Sequence, residues 1–423
     1  MSPNRQSGLG LPRSMAAVPD VNGDDIADLA LGASAEDNRA GRVYVLSGAD
    51  GTLLYTLNSP RPLEAEAFGQ SVAGMTDLNA DGLGDLIIGA IDGDPNGSID
   101  TGRVYVYSAV DDLVIDEVVS PNPEPFGQFG FAVASVPDYD GDETSDFVVG
   151  APHERAFNSR NELIITGRAY VFSGATRNLL LDPTPLNPLI CIRSCGDIWG
   201  SGFGYAVAGL PDADGDGRGE VLIGAPGEWT DAIVRDGRLY VFYSSRPENP
   251  DYYRSLAPES RGFFGYSIAG LSDINGDGSG DILVSAANES AQSFRDGQAH
   301  LLNGADGQAL RRWGSPNANR FGRFGEWVGS MPDISGNGIP EFIVVQSGVG
   351  DPEAVYVFEG GTNDLIDTLA VPNRLRWEIN SAIGLPDLDA DGFGELAIGV
   401  TADDVHKVYI FSGGLLGTES AER

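Results

Sequence analysis

The chain has 423 residues, of which 41% are hydrophobic, and its formal net charge at pH 7 is −36. This acidity argues against nucleic acid and anionic membranes as partners, because both repel a strongly negative protein. No apolar run reaches 18 residues, so we expect no membrane insertion.

A nine-residue acidic segment recurs seven times, starting at Asp20, Asp77, Asp138, Asp212, Asp273, Asp333 and Asp387. Oxygen-bearing side chains occupy positions 1, 3, 5 and 9, and glycine usually occupies position 6. Calcium takes 6–8 oxygen ligands at about 2.3–2.6 Å, and a tight loop of this kind can supply them. Position 7 normally contributes a backbone carbonyl, so its side chain is free to vary. The pattern therefore predicts a series of calcium loops.

The predicted ligands of six loops are, in chain order, Asp20, Asn22, Asp24, Ile26 and Asp28; Asp77, Asn79, Asp81, Leu83 and Asp85; Asp138, Asp140, Asp142, Thr144 and Asp146; Asp212, Asp214, Asp216, Arg218 and Glu220; Asp273, Asn275, Asp277, Ser279 and Asp281; and Asp387, Asp389, Asp391, Phe393 and Glu395. The remaining loop offers Asp333, Ser335, Asn337 and Glu341, with only two carboxylates. We therefore expect five to seven bound Ca²⁺ ions. Adding the 14 positive charges of seven divalent ions to −36 would leave −22, so the rest of the surface is acidic as well.

Position 12 argues against an EF-hand, which needs a bidentate carboxylate there. It is apolar in every copy: Leu31, Ile88, Val149, Ile223, Val284, Val344 and Ile398. These residues lie in short β-branched runs that end near glycine, a pattern typical of strands. Each loop is therefore predicted to join two strands. Asp25 and Glu143 replace the usual glycine at position 6, which predicts weaker binding in the first and third loops.

The acidic loop belongs to a longer repeat. Phe-Gly stands nine residues before the loop in five copies, and Gly-Ala-Pro or a variant begins twelve residues after its first aspartate. A strand with a repeated tyrosine follows, and a weaker strand ends most units. The two middle strands are almost wholly apolar, so both of their faces must be covered. Four-stranded sheets packed around an axis satisfy this requirement, whereas the coils of a linear solenoid are much shorter than this repeat.

The predicted fold is therefore all-β, a seven-bladed β-propeller of four-stranded antiparallel blades forming a single domain over residues 1–423. The expected blades are 10–57, 67–118, 128–182, 202–256, 263–313, 323–370 and 377–417. The outer strand of the last blade is expected either in Gly413–Gly417 or in sequence upstream of Met1.

The combination of Phe-Gly, acidic loop and Gly-Ala-Pro resembles the FG-GAP repeat, the unit of the integrin α-subunit propeller. The resemblance implies calcium loops on a lower face, between the first two strands of each blade, and ligand or partner contacts on an upper face. It also implies an adhesive, extracellular or cell-surface role. Blade one departs from the pattern with Leu11 and Pro12, and blade seven with Glu378 and Ile379. The first 30 residues lack a signal-peptide pattern, so we expect the chain to be part of a longer one.

The third repeat interval is the longest, and its unshared segments 151–166 and 182–202 favour an upper-face binding surface near them. The candidate ligand-surface residues are His153, Arg155, Phe157, Trp199, Glu228 and Trp229. An alternative is that these aromatic residues fill gaps between blades. Cys191 and Cys195 form either a local disulfide or two free thiols.

The sequence contains no nucleophile elbow, metalloprotease helix or phosphate loop, and no catalytic residue is assigned. The first hypothesis is a calcium-stiffened, non-enzymatic module that binds a protein or glycan. The alternative is a carbohydrate-active enzyme or lectin with a site at the propeller mouth. A purely structural spacer is the third reading.

Overall fold

The computed structural model of the chain describes residues 14–62, 65–94, 99–108, 113–157, 163–185, 200–229, 235–318, 320–348, 353–370, 377–402 and 405–416. These residues form a seven-bladed propeller with almost no helix. Helical structure in this part of the chain is limited to the turn Glu36–Arg39 and the 3-10 turn Gly413–Leu415. No helix within these ranges has the length and hydrophobicity needed to cross a membrane.

Each blade is an antiparallel sheet whose strands follow one another from the axis outwards. The strands of the first three blades are Ser14–Val18, Asp28–Gly32, Arg42–Leu46 and Leu53–Asn58; Phe68–Met75, Asp85–Ala90, Arg103–Ser108 and Leu113–Val119; and Ala132–Val136, Asp146–Ala151, Arg168–Phe172 and Leu179–Leu181. A hairpin, Arg155–Phe157 with Leu163–Ile165, extends from the third blade.

The strands of the next three blades are Ala206–Leu210, Glu220–Ala225, Arg238–Phe242 and Asp251–Tyr253; Phe264–Leu271, Asp281–Ala286, Gln298–Asn303 and Ala309–Gly314; and Phe324–Met331, Glu341–Gln346, Ala354–Phe358 and Leu365–Ala370. Blade seven has three strands among the described residues: Trp377–Leu385, Glu395–Ala402 and Val405–Phe411. The segment expected as its fourth strand forms the 3-10 turn Gly413–Leu415 instead, so it does not supply an outer strand there.

The hydrophobic core lies between neighbouring blades. Seven buried clusters each combine side chains from two adjacent blades. The cluster of Met15, Leu29 and Tyr44 with Leu385 and Ala397 joins the first blade to the last, so the ring closes. The almost uninterrupted apolar middle strands follow from this arrangement, because each sheet is covered on both faces.

The Phe-Gly pair connects one blade to the preceding blade. Phe68 is fully buried, lies 5.6 Å from the ring of Tyr105 in its own blade, and forms a parallel bridge with Gly41 of the preceding blade. A Cβ on Gly41 would lie 2.0 Å from the Phe68 carbonyl oxygen, so only glycine fits. Four later blades have the same bridge. In three of them the repeated tyrosine packs against the buried phenylalanine of the Phe-Gly pair.

Candidate metal centres

The acidic loops all lie at one end of the propeller. Each connects the first and second strands of a blade, and in an antiparallel sheet the turn between the third and fourth strands lies at the same end. Ser244, in such a turn, donates a 2.6 Å hydrogen bond to Asp216, and Ser412 donates one of 2.9 Å to Asp391. We call this end the lower face. The loops between second and third strands, and the links between blades, form the upper face.

The first aspartate of each loop organises the loop backbone. Asp212 accepts backbone N–H bonds from Gly215 at 2.7 Å and Gly217 at 2.9 Å, one to each carboxylate oxygen. At Asp77, partial burial opposes ionisation, but its backbone hydrogen bonds outweigh that effect and lower its pKa. The N–H of position 7 also donates to position 5 in six loops, at 2.9 Å each: Ile26, Leu83, Thr144, Arg218, Ser279 and Phe393. The loop conformation thus follows from its own side chains.

Two positions of every loop, not one, have positive φ. Position 4 is left-handed at Gly23, Ala80, Gly141, Gly215, Gly276, Gly336 and Ala390, and position 6 at Asp25, Gly82, Glu143, Gly217, Gly278, Gly338 and Gly392. The sequence pattern had indicated only position 6. Where position 6 carries a side chain, as at Asp25 with φ 63°, position 4 is glycine. Each loop therefore keeps at least one residue that adopts this conformation without strain.

The ninth-position carboxylate is buried at the base of every loop: Asp28, Asp85, Asp146, Glu220, Asp281, Glu341 and Glu395. One oxygen of Glu220 accepts the Ala213 N–H at 2.8 Å, which ties the loop to the following strand. The other oxygen of Asp85, Glu220, Glu341 and Glu395 has no hydrogen-bond partner among the described residues. A buried, unpaired carboxylate oxygen is costly, and a cation would satisfy it.

Burial also makes these carboxylates harder to ionise without a counter-ion. Burial, reinforced by repulsion from three loop aspartates, raises the pKa of Glu220 to about 8. Burial raises the pKa of Asp85, Asp146 and Asp281 to about 6 and that of Glu395 to about 7. A nearby positive charge would favour the ionised form of these carboxylates and so lower their pKa values.

Three loops bring their carboxylates closest together. One oxygen from each member lies within 4.8 Å of the others in the sets Asp212, Asp214, Asp216 and Glu220; Asp387, Asp389, Asp391 and Glu395; and Asp138, Asp140 and Asp142. Among the described residues of the other loops, no three carboxylates meet that limit. Asparagine occupies position 3 in three of these loops, and Asn79 donates its amide to Asp81 at 2.9 Å.

Loop six has the same backbone but a poorer set of ligands. Asp333 accepts from Gly336 and Gly338 at 2.7 Å, as its counterparts do in other loops. The Asn337 amide donates to Glu359 at 3.1 Å. The residues of the other loops fit a hard divalent cation, and loop six supplies only part of that set.

The upper ends of six blades carry a second set of buried polar groups, of which sequence reasoning singled out only Glu228. Glu154 accepts hydrogen bonds from Tyr170 of its own blade at 2.5 Å and from Ser120, which follows the outer strand of the preceding blade. Its equivalents are Glu36, Glu228 and Glu289, each sixteen residues after the start of a loop, with Glu66 and Gln346 filling the role in blades two and six. The fixed spacing of this glutamate after Gly-Ala was the available signal.

The predicted ligand-surface residues do not form one surface. Glu228 is fully buried, bonded by Tyr240 at 2.7 Å and paired with Arg238 at 3.2 Å, so placing it among the exposed contact residues was wrong. His153 is half-buried, with Nδ1 2.6 Å from the Gln128 side-chain oxygen. Trp229 is exposed.

Two of the other predicted residues belong to the blade-three hairpin. Arg155 and Phe157 belong to its first strand. Trp199, Cys191 and Cys195 lie outside the described residues, so the disulfide stays a prediction.

The upper face carries an exposed aromatic pair that the sequence did not indicate. Phe294 and Phe321 are 51% and 41% exposed, and their rings meet edge to face at 5.5 Å. The Arg320 guanidinium lies about 5.5 Å from both rings, and that of Arg295 lies 5.2 Å from Phe294. Arginine and aromatic side chains are enriched in protein interfaces.

Comparison with known proteins gives the same relationship as the repeat. The model of the FG-GAP repeat matches residues 11–46, 203–242 and 264–302. Integrin alpha-5 of Xenopus laevis is 32% identical over 239 residues, covering 54% of this chain and 21% of that protein. Integrin alpha-4 of Xenopus laevis is 26% identical over 288 residues, covering 66% and 25% respectively. Phosphatidylinositol-glycan-specific phospholipase D of Rattus norvegicus is 32% identical over 221 residues, covering 48% and 25%.

A solved structure supports the fold alone. The crystal structure of BBS1N in complex with ARL6DN, soaked with lead, matches 98% of this chain and 95% of that chain with a TM-score of 0.55 and 13% identity. The chain spans about a fifth to a quarter of the length of the curated relatives named above. The chain contains FG-GAP repeats, folds as a seven-bladed propeller, and is similar to integrin alpha subunits over part of its length.

Proposed function

We propose that this propeller is a calcium-binding, non-enzymatic interaction module that recognises a protein or glycan partner through its upper-face loops. The observation that carries the proposal is the buried ninth-position carboxylate with an unpaired oxygen, as at Glu220 and Glu395, beneath three further loop aspartates. In each loop the residues at positions 1, 3, 5 and 9 would hold the ion, together with the backbone of position 7. The bound charge would remove the repulsion among the carboxylates.

The donor set favours calcium over other common divalent ions. Every predicted side-chain ligand is a carboxylate, carboxamide or hydroxyl, whereas zinc sites use histidine or cysteine. Magnesium usually keeps several waters and takes one or two carboxylates, whereas these loops offer up to four. A weak calcium site on a surface loop suits an extracellular or cell-surface setting, which the similarity to integrin alpha subunits also supports.

The two faces of the propeller support separate roles in metal binding and partner recognition. Metal binding on the lower face would stiffen each blade, while the exposed Phe294, Phe321 and Trp229 lie on the upper face. A rigid scaffold loses less conformational entropy when its loops engage a partner. Because the chain matches only part of each relative, we propose that it acts as part of a longer protein.

Calcium titration tests the metal half of the proposal. Protein stripped with EDTA should bind five to seven equivalents of Ca²⁺ in calorimetry, and its melting temperature should rise by many degrees. A site filled at a hundred times its Kd adds about 2.7 kcal/mol to the free energy of unfolding. Magnesium at the same concentration serves as the control. An unchanged melting temperature in protein confirmed to be metal-free, with and without calcium, would contradict the proposal.

Arrays of cell-surface proteins and of glycans, probed with and without calcium, test recognition. On the protein array, the Phe294→Ser/Phe321→Ser variant should lose the signal, whereas Tyr252→Ser, which removes an equally exposed aromatic ring from an outer strand, should keep it. Binding that is identical in both variants would place recognition away from this pair.

The second candidate function, a carbohydrate-active protein, is favoured by the central channel. This cavity of about 540 Å³ is lined by the inner strands of all seven blades. Glu326 is its only carboxylate among the described lining residues, and that group lies 2.7 Å from the Arg323 guanidinium. Glycoside hydrolysis usually needs two carboxyl groups. The channel therefore favours binding of a carbohydrate over its cleavage.

A further inference from the structure

One tryptophan breaks the regularity of the central channel. In six blades the inner-strand residue six positions before the first loop aspartate is small. Five of these residues pair with a second-strand glycine, namely Ser14, Ser71, Ala132, Ala206 and Ser381, whereas the N–H of Ser267 donates to the Ser285 hydroxyl at 3.0 Å. Blade six has Trp327 at this position, paired with Val345, and the tryptophan is 39% exposed within the channel. A large, partly exposed aromatic ring in a concave site is a typical ligand platform.

The second-strand glycine of several blades makes a close contact with the next blade that blade six lacks. A Cβ on Gly89 would lie 2.2 Å from the Gly130 carbonyl oxygen of the next blade, and Gly224 meets Gly265 in the same way at 2.1 Å. Blade six has Val345 in place of this glycine, so its contact with blade seven is built differently. The space occupied by Trp327 is therefore particular to one sector of the ring.

The upper mouth of the channel has two unlike halves. In blades two to seven, the residue seven positions before the first loop aspartate lies at this mouth, at or near the start of the inner strand. In blades three, four and five it is Phe131, Tyr205 and Tyr266, whose neighbouring rings lie 5.1 Å apart. In blades two and seven it is Gln70 and Asn380. An aromatic half therefore faces a carboxamide half.

The two carboxamides are oriented by their neighbours. The Gln70 side-chain oxygen accepts from Ser34 at 3.1 Å, and the Asn380 side-chain nitrogen donates to Thr401 at 2.7 Å. Fixed polar groups of this kind lose little entropy when a ligand binds. The carboxamide half is thus organised before any ligand arrives.

The electrostatics of the mouth favour a neutral ligand. Glu326 supplies the single acidic side chain among the described lining residues, and Arg323 compensates its charge at 2.7 Å. Tyr266 adds a 3.3 Å hydrogen bond to the same carboxylate. A cation would have to compete with this internal ion pair, and an anion would be repelled by a protein of formal charge −36.

We propose that the central channel binds a neutral saccharide, with Trp327 and the Tyr205–Tyr266 pair packing against its C–H faces and the carboxamides of Gln70 and Asn380 bonding its hydroxyl groups. A sugar ring is amphipathic in this sense: apolar on its C–H faces and polar around its rim. The cavity volume falls in the range of small-ligand sites, roughly 300–1,000 Å³. The inference rests on the proposed function, since it names the ligand class for the upper face.

Saturation-transfer NMR and calorimetry on the calcium-loaded chain test the proposal. The probes are methyl glycosides of glucose, galactose, mannose and N-acetylglucosamine and their disaccharides, with agmatine as a cationic alternative. We expect at least one neutral saccharide to bind and Trp327→Ser to weaken it by about tenfold or more, the loss of about 1.4 kcal/mol. Trp327→Ser installs the residue found in other blades, so the fold should persist. Tyr252→Ser, on an outer strand, is the matched control and should bind normally.

Three outcomes would overturn the saccharide proposal: no probe binds, Trp327→Ser binds as tightly as the wild type, or agmatine binds while the neutral saccharides do not. The calcium titration is independent of all three. If calcium stabilises the protein but no saccharide binds, the proposed interaction module stands and the proposed channel ligand is rejected. If a saccharide binds but calcium does not stabilise the protein, the channel ligand stands and the calcium-binding proposal is rejected.

Discussion

Loops four and six share one backbone and differ in what they offer a cation. Both use the first aspartate to hold two backbone N–H groups, and both bury a glutamate at position 9. Loop four adds Asp214 and Asp216, whereas loop six has Ser335 and Asn337 in their place. The comparison indicates that the loop fold depends on positions 1 and 9, and we propose that positions 3 and 5 set the capacity for metal.

The largest expected effect on stability separates the contribution of the loop fold from that of a bound ion. Asp212→Ala removes two charge-assisted backbone hydrogen bonds and Asp333→Ala removes three, so in EDTA both should lower the free energy of unfolding by about 1–3 kcal/mol. In calcium at a hundred times Kd, Asp212→Ala should lose about 2.7 kcal/mol more, because it also loses a bound ion. Urea unfolding in both buffers measures the difference. If Asp212→Ala loses the same free energy of unfolding in EDTA and in calcium, loop four holds no ion of its own.

Blade six differs from blade three at the upper end as well, where Gln346 replaces a buried glutamate. Burial raises the pKa of Glu154 to about 7, against an ordinary value of 4.5, despite hydrogen bonds from Ser120 and Tyr170 and the nearby Arg168. The folded state therefore holds this proton more tightly than the unfolded state. The stability due to this group is complete below pH 4.5 and is lost as pH rises to about 7, by up to about 3 kcal/mol.

Glu154→Gln should remove that pH dependence, since Gln346 accepts the equivalent bonds from Ser315 and Tyr356 without titrating. Unfolding at pH 5 and pH 8 in saturating calcium should show the variant gaining stability relative to the wild type as pH rises. A constant difference between the two proteins at both pH values would indicate that Glu154 titrates normally.

Loop six can be given the ligand set of loop four. The Ser335→Asp/Asn337→Asp variant should bind one more calcium and gain about 2.7 kcal/mol at a hundred times Kd. Without calcium it should be less stable than the wild type, because the new carboxylate at position 5 would face Glu359 in place of the present 3.1 Å hydrogen bond. Ser335→Ala/Asn337→Ala is the control. An unchanged stoichiometry would mean that loop six lacks more than charge.

The repeat made the fold and the loops predictable, because a spacing that recurs seven times fixes strands and turns together. Side chains that depend on distant partners were not predictable. Glu228 follows Gly-Ala-Pro in a variable loop and was expected to be exposed, but Tyr240 and Arg238 hold it in the interior. Trp327 was missed because it stands out only when the inner strands are aligned, which shows serine or alanine at that position in the six other blades. The left-handed position 4 was hidden by Ala80 and Ala390, which tolerate it with strain.

The smallest expected effect concerns that strain. Asp25 and Glu143 adopt φ values of 63° and 70° at position 6, where loop four has Gly217 at 84°. Asp25→Gly should relieve about 1 kcal/mol in the loop, partly offset by the greater freedom of glycine in the unfolded chain. Since the loop conformation is the one that would bind calcium, the affinity of loop one should rise a few-fold.

Gly217→Ala is the reciprocal test, because no atom lies within 4 Å of a Cβ built there and only the backbone conformation is penalised. It should cost about 1 kcal/mol and lower the calcium affinity of loop four. Calcium titration of the two single variants and their combination measures both effects. If Asp25→Gly leaves loop one unchanged while Gly217→Ala weakens loop four, then an aspartate at position 6 adopts the left-handed conformation with no strain that affects binding.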